Sequence, residues 1–267
     1  MQLEISHITT YNFEQSPSYG LQQVRLSPKA SEGQLMKNWD VTFEGATLQT
    51  QFVDHHNNIT HLIRIDEGVS EMTVKSQGVV DTEDKNGVIG QHGGFAPLWY
   101  FLRQTPLTQP GTKLNKLAEA FKAGKGTELE RLHGLSHTIG GLVTYETGQT
   151  TAISTAEQAI GAGAGVCQDH AHIFISAARL ANIPARYVSG YLMMNDRIDQ
   201  DATHAWAELY LQDLGWTGFD VSNQISPDAR YVRVATGLDY SSAAPISGLT
   251  QGGAGESIKV DVHVQQQ

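Results

Sequence analysis

Three residues of different chemical type, Cys167, His204 and Asp220, together supply what is needed to break an amide bond through a thiol. The chain has one cysteine, and it stands where a glycine-spaced run, Gly161-Ala162-Gly163-Ala164-Gly165, meets an apolar-striped stretch. Ala171, Phe174, Ile175 and Ala178 follow it at the spacing of one helical face, and Asn182 and Pro184 give the stop signal. The thiol is therefore expected in the first turn of a helix, where unpaired N–H groups and the positive end of the macrodipole favour anions. The glycines before it leave room for a substrate and let a backbone N–H approach a developing oxyanion. A lone cysteine is more often a small buried hydrophobe. What separates this one is its position and its two downstream partners.

Those partners lie on a predicted hairpin. Thr203 to Leu211 alternates, placing His204, Trp206, Glu208 and Tyr210 on one strand face, and a turn around Gln212–Gly215 leads into Trp216–Asp220. If Tyr210 faces Trp216 across a five-residue loop, Asp220 falls opposite Trp206 and diagonal to His204, on the same face. A four-residue loop turns it to the other face. An odd-length loop or a bulge is expected, with His204 taking the thiol proton and returning it to the leaving amine, and Asp220 fixing the tautomer and stabilising the imidazolium. Without the cysteine, the same pair would read as polar residues on an exposed sheet face.

Composition narrows the partners. A net charge of −10 and the absence of a basic stripe exclude a nucleic-acid partner, since phosphate binding needs clustered Lys and Arg. Leu3 and Ile5 alternate with Gln2, Glu4 and Ser6, which reads as a strand and not as a secretion signal. No stretch reaches the apolar length a membrane-crossing helix needs, so no membrane partner is expected. One cysteine permits no internal disulfide, and a reactive thiol persists best in a reducing compartment, so the expected location is cytoplasmic.

The elements that must position the three residues divide the chain in two. Residues 1–90 read as a β-rich domain: the runs Thr9-Tyr11-Phe13, Val24-Leu26, Trp39-Val41-Phe43 and Leu62 to Ile65 are separated by Ser, Pro, Gly and Asn clusters, as in a small sandwich or meander. Asp54 to Asn58 reads as a tight solvated turn, and His55 and His56 as part of it rather than as metal ligands. The polar, glycine-rich stretch from Asp81 to Gly94 marks the boundary. Residues 91–267 then carry helical patterns over Lys113–Lys122 and from a capping box at Thr127-Glu128-Leu129-Glu130 to Gly140, with a second capping signature at Ser154-Thr155-Ala156-Glu157. His133 and His137 stand one turn apart, but no glutamate adjoins His133 in the metalloprotease pattern, so packing is preferred to zinc. Asp196, Asp199 and Asp201 cluster without the pattern of a calcium loop. No metal and no cofactor is expected. Ser241 to Gly255 is expected to be irregular and Gln265 to Gln267 to fray.

Several separate blocks, Gly165-Val166-Cys167-Gln168-Asp169, Ile183 to Tyr191, His204-Ala205-Trp206 and Gly215-Trp216 through Phe219-Asp220, occur in an order that resembles the bacterial transglutaminase-like superfamily. Tyr11, Arg25-Leu26-Ser27-Pro28 and Asp54–Asn58 resemble the N-terminal β domain of that group, and Val234 to Tyr240, Pro245 and Gly248 its C-terminal segment. The resemblance implies an α+β fold, a papain-like catalytic core preceded by a small β-sandwich-like domain. It implies Cys167 as nucleophile, His204 as base and Asp220 as orienter, acting on a peptide or other amide substrate through an acyl-enzyme. Hydrolysis is expected; transfer to an amine, or a binding protein that has kept the fold without turnover, are the alternatives. The Cys167 N–H is the first oxyanion donor by analogy, and Gln158 or Tyr145 the second, with Gln168 and Trp206 as further candidates for substrate contact. Three positions depart from the family pattern: His170 replaces an aromatic or apolar residue, Val221 a proline and Asn57 a glycine.

Overall fold

The computed structural model describes residues 1–195, 197–200 and 202–267. The first part of the chain runs through β1 (Gln2–Gln15), β2 (Tyr19–Ser27), β3 (Gln34–Glu44), β4 (Ala46–Val53), β5 (Ile59–Ile65), β6 (Glu71–Thr82) and β7 (Val88–Gly90). Along β1 the odd-numbered residues from Leu3 to Phe13 are buried and the even ones face outward, as period-2 alternation requires. After a single-turn 3₁₀ segment at Leu98–Leu102 come α1 (Thr112–Ala123), α2 (Glu128–Leu142), β8 (Thr144–Tyr145), α3 (Ala156–Ala162), β9 (Ala164–Gly165) and α4 (Cys167–Leu180). The chain continues through β10 (Ala185–Leu192), β11 (Asp199–Gln200), β12 (His204–Leu211), β13 (Gly215–Phe219), β14 (Tyr231–Gly237), α5 (Tyr240–Ala243), β15 (Ile246–Gln251) and β16 (Ala254–Gln266). The fold is mixed, with helices and strands both in the part that carries the three residues.

Two sheets of order β11-β16-β1-β6-β3 and β15-β2-β5-β4 face one another over Tyr11, Phe13, Val24, Leu26, Ile63, Ile65, Met72 and Val74. The last strands of the chain thus return to the first. The stretch expected to be irregular contains α5 and β15, and β16 pairs with nearly the whole of β1, Gln265 and Gln266 included, so the end of the chain is tied down. Gly252 and Gly253, both at positive φ, make the tight step from one sheet to the other. These pairings span most of the chain's length, and local composition carries no trace of them. The sandwich is accordingly closed by residues from both ends of the chain.

A third sheet, of order β14-β10-β12-β13-β7, has α4 on one face and the β1 sheet on the other. Ala171, Phe174, Ile175 and Ala178 pack α4 onto Ala205, Ala207 and Leu209 of β12, while α1, α2 and α3 cover its other sides. On the opposite face Tyr191, Val232 and Val234 meet Leu3, Ile5, Val262 and Val264. Among the described residues no helix is long and apolar enough to cross a membrane.

Helix starts follow side-chain chemistry. Thr127 caps α2 in the expected box with Glu130. The second box is shifted by one residue from the Ser154–Glu157 expectation: Thr155 is the cap of α3 and Gln158 its partner. Glu157 is occupied elsewhere, accepting from the backbone N–H groups of Gly111, Lys113 and Leu114 at 3.0, 2.8 and 3.1 Å, where it satisfies the start of α1.

Candidate active site

Cys167 is the first residue of α4, buried at 9 % exposure. The Asp169 carboxylate holds the turn in front of it, accepting from the Val166 N–H at 2.8 Å and the Thr150 hydroxyl at 2.7 Å. A Cβ at Gly165 would come within 2.7 Å of that carboxylate, which explains the glycine directly before Val166. Gly165 also pairs with Tyr145 in the short parallel β8–β9 ladder, so Tyr145 is carried alongside the thiol.

The hairpin has the register that places Asp220 on the His204 face. Tyr210 pairs with Trp216 and Ala207 with Phe219, which leaves Trp206 opposite Asp220. His204 Nε2 donates to Asp220 Oδ2 at 2.6 Å, with both side chains buried. Cys167 is the other group near enough to act on the His204 ring, raising its pKa together with Asp220. Because Nε2 is committed to the carboxylate, Nδ1 is the nitrogen left for the sulfur.

Asp220 is more fully held than the sequence discloses. Its Oδ2 also accepts from Asn223 Nδ2 and from the Tyr231 hydroxyl, each at 2.7 Å, and its Oδ1 from the Asn223 N–H at 3.2 Å. Burial alone would raise its pKa, but the hydrogen bonds from His204, Asn223 and Tyr231 and the His204 charge outweigh it and hold the carboxyl below its ordinary value. Burial would likewise lower His204. The neighbouring Asp220 and Cys167 outweigh it and lift the imidazole to about 10. Asn223 is readable in hindsight as an Asx-type partner three residues after the aspartate, whereas nothing local to Tyr231 indicates its role.

The remaining candidates separate. Tyr145 stands beside Gly165 in the β8–β9 ladder, and burial first, with Cys167 and Asp220 nearby and Arg197 opposing, raises its hydroxyl pKa. Trp206 is buried and lies with its ring centroid 6.2 Å from that of His204, backing the imidazole. Gln168 donates from Nε2 to the Ala152 carbonyl at 3.1 Å, so it ties the loop before α3 to the thiol's helix. Gln158 accepts from the Thr155 N–H through its Oε1 at 2.9 Å in the α3 cap. His133 packs on Phe219 at 5.2 Å, and His55 bonds the Tyr100 hydroxyl at 3.0 Å. Asp199 pairs with His263, while Asp196 and Asp201 of that acidic group lie outside the described residues. Among the described residues no three His, Cys, Asp or Glu side chains are grouped to hold a metal ion.

Comparison with known proteins gives matches over both parts of the chain. Residues 115–221 match the model of the transglutaminase-like superfamily, and residues 3–81 that of the bacterial transglutaminase-like N-terminal region. An uncharacterized protein of Mycobacterium leprae is 24 % identical over 276 residues, covering 98 % of each chain. One of Mycobacterium tuberculosis is 28 % identical over 289 residues, covering 97 % of this chain and 90 % of its own. The crystal structure of a "putative cysteine protease" from Cytophaga hutchinsonii superposes with a TM-score of 0.77 at 22 % identity, covering 100 % of this chain and 91 % of the other.

Proposed function

This chain belongs to the transglutaminase-like superfamily, and on that premise we propose that it hydrolyses amide bonds as a cysteine peptidase or amidase of papain-like arrangement, with Cys167, His204 and Asp220 as its triad. The observation that carries this reading is the buried His204–Asp220 bond, with Cys167 near enough to raise the imidazole. Cys167 Sγ, its proton on His204, attacks the substrate carbonyl carbon. The imidazolium then protonates the departing amine as the C–N bond breaks and a thioester remains. Water, deprotonated by His204, attacks that thioester and releases the acid and the thiol. The carbonyl oxygen of each tetrahedral intermediate is received by the Cys167 N–H, which as a first-turn donor has no carbonyl partner within α4, and by the Tyr145 hydroxyl. Tyr145 is preferred to Gln158 because the β8–β9 ladder pairs it with Gly165, two residues before the thiol. A cytoplasmic setting suits the single thiol.

The test is the pH dependence of Cys167 alkylation by iodoacetamide, followed by mass spectrometry, in wild type and His204→Ala. Labelling should persist well below the ordinary thiol value of about 8.5 in wild type and lose that advantage in the variant. A peptide library should then be cleaved by wild type and not by Cys167→Ala. Labelling like that of a free thiol in both proteins refutes the reading, and incorporation of a primary amine in place of cleavage replaces hydrolysis by acyl transfer.

A further inference from the structure

His170 follows Cys167 by three residues and is 2 % exposed, yet it has no place in the proton transfers above. Its ring joins three parts of the site. Nε2 lies 2.9 Å from the carbonyl of Val143, the residue that ends α2 and precedes the Tyr145 strand, and Nδ1 lies 2.8 Å from the Ser222 hydroxyl, two residues after Asp220. The ring centroid is 6.3 Å from that of Tyr145. A carbonyl can only accept, so Nε2 carries the proton; in the neutral ring Nδ1 then accepts from Ser222, and one tautomer satisfies both neighbours.

Each tie bears on a different catalytic group. Ser222 adjoins Asn223, whose backbone and side chain both hold Asp220. Val143 leads into the β8 strand that sets Tyr145 beside Gly165. The ring itself rides on the first turn of α4 with Cys167. An apolar side chain of similar size would fill the space and make neither bond, so packing alone does not account for an imidazole here.

We infer that His170 is a positioning residue, which locks the nucleophile's helix turn to the loop that holds Asp220 and to the strand that carries Tyr145. The inference rests on the proposed triad and adds to it a fourth residue that touches no reacting atom. Its effect is on the spacing of Cys167 from His204 and Asp220, so loss of the clamp lowers kcat and leaves KM nearly unchanged.

The experiment compares His170→Phe, His170→Asn, Ser222→Ala and the Phe/Ala double variant by Cys167 alkylation rate, by kcat and KM on a cleaved peptide, and by the downfield proton resonance of the His204 Nε2–H. The phenylalanine and alanine variants should each slow alkylation and kcat by roughly 10- to 100-fold, the magnitude of a small misplacement, and broaden the resonance. The double variant should lose no more than the worse single one, because both remove one contact. Asparagine, with a polar atom near the Nδ1 position, should restore most of the rate. If Ser222→Ala and His170→Phe shift only the melting temperature, or if the resonance and rates are unchanged in all variants, the inference is overturned. Should His170→Phe fail to fold, Ser222→Ala decides alone. If wild-type Cys167 alkylates like a free thiol, the proposed function fails, and the resonance still reports whether the clamp holds Asp220.

Discussion

Asp220→Asn replaces one oxygen by an NH₂ group and leaves the volume unchanged, so its effect isolates what the carboxylate does. Oδ2 receives His204 Nε2–H, Asn223 Nδ2–H and Tyr231 O–H, while Oδ1 faces the Asn223 N–H. An amide can offer its oxygen at only one of these places. With the oxygen toward His204, its NH₂ meets the Asn223 N–H donor to donor; with the amide reversed, the NH₂ drives the His204 proton onto Nδ1, the nitrogen that has to accept from the thiol. The rise of His204 from 6.5 to about 10 corresponds to about 5 kcal/mol of net preference for the imidazolium, left after burial has opposed Asp220 and Cys167. Loss of the carboxylate together with the wrong tautomer should cost roughly the 10²- to 10⁴-fold expected for a lost general base. Alkylation of Cys167 at neutral pH measures the loss directly. Thermal unfolding supplies the pH counterpart: a raised histidine contributes stability that is fully present below its unfolded value of about 6.5 and lost as pH rises through about 10. Wild type should therefore lose stability across that window, and the variant should lose much less. An Asn variant that alkylates within about threefold of wild type and keeps the alkaline slope would refute the reasoning.

Two further changes test elements away from the thiol. Glu208 is fully buried between Arg186 and Arg233, each Nε 2.6 Å from a carboxylate oxygen; burial alone would raise its pKa, but the two guanidinium groups outweigh that and hold it at about 2. Its stability contribution is present above the ordinary value of 4.5 and lost as pH falls toward 2, and Glu208→Gln, which strands two buried cations, should cost about 3–5 kcal/mol in urea unfolding at pH 7, against less than about 1 if the pair is inert. Glu157→Ala removes the acceptor of three N–H groups at the start of α1 and should lower stability by about 1–2 kcal/mol without slowing Cys167 alkylation; a slowed thiol would show that α3 positions the site directly.

The site was legible in the sequence where its parts lie on regular elements. Helical spacing after Cys167 set the thiol at a helix start, and the parity of the Tyr210–Trp216 loop put Asp220 on the His204 face because a strand's side chains repeat every two residues. What escaped lies in irregular segments. Tyr231 comes from the neighbouring end of β14, and its reach to Asp220 depends on how that strand enters the sheet. Overlapping capping signatures at Ser154–Glu157 and Thr155–Gln158 are equivalent until Glu157 is known to serve another helix. The β15 and β16 pairings are long-range, so a Ser, Ala and Gly-rich composition read as irregular chain although it is paired along most of its length.

The N-terminal sandwich also acquires a physical role. β14 is an edge strand of the α4 sheet, and its unpaired N–H and C=O groups are met by two side-chain amides from the sandwich. Gln34 donates to the Arg233 carbonyl at 2.8 Å and accepts from its N–H at 2.7 Å; Asn58 does the same for Thr236 at 2.8 and 2.9 Å. Asn58 can do so because the turn before it is fixed: Asn57 takes the left-handed conformation at φ 63°, and the Asp54 carboxylate accepts from the His56 and Asn58 N–H groups and from the Asn58 amide. The turn that reads from composition as a solvated connection is therefore a clamp on the strand whose first residue, Tyr231, holds Asp220. The path from Asp54 to the orienting carboxylate consists entirely of hydrogen bonds and one strand. The N-terminal region is thereby tied by hydrogen bonds to the strand whose first residue donates to Asp220.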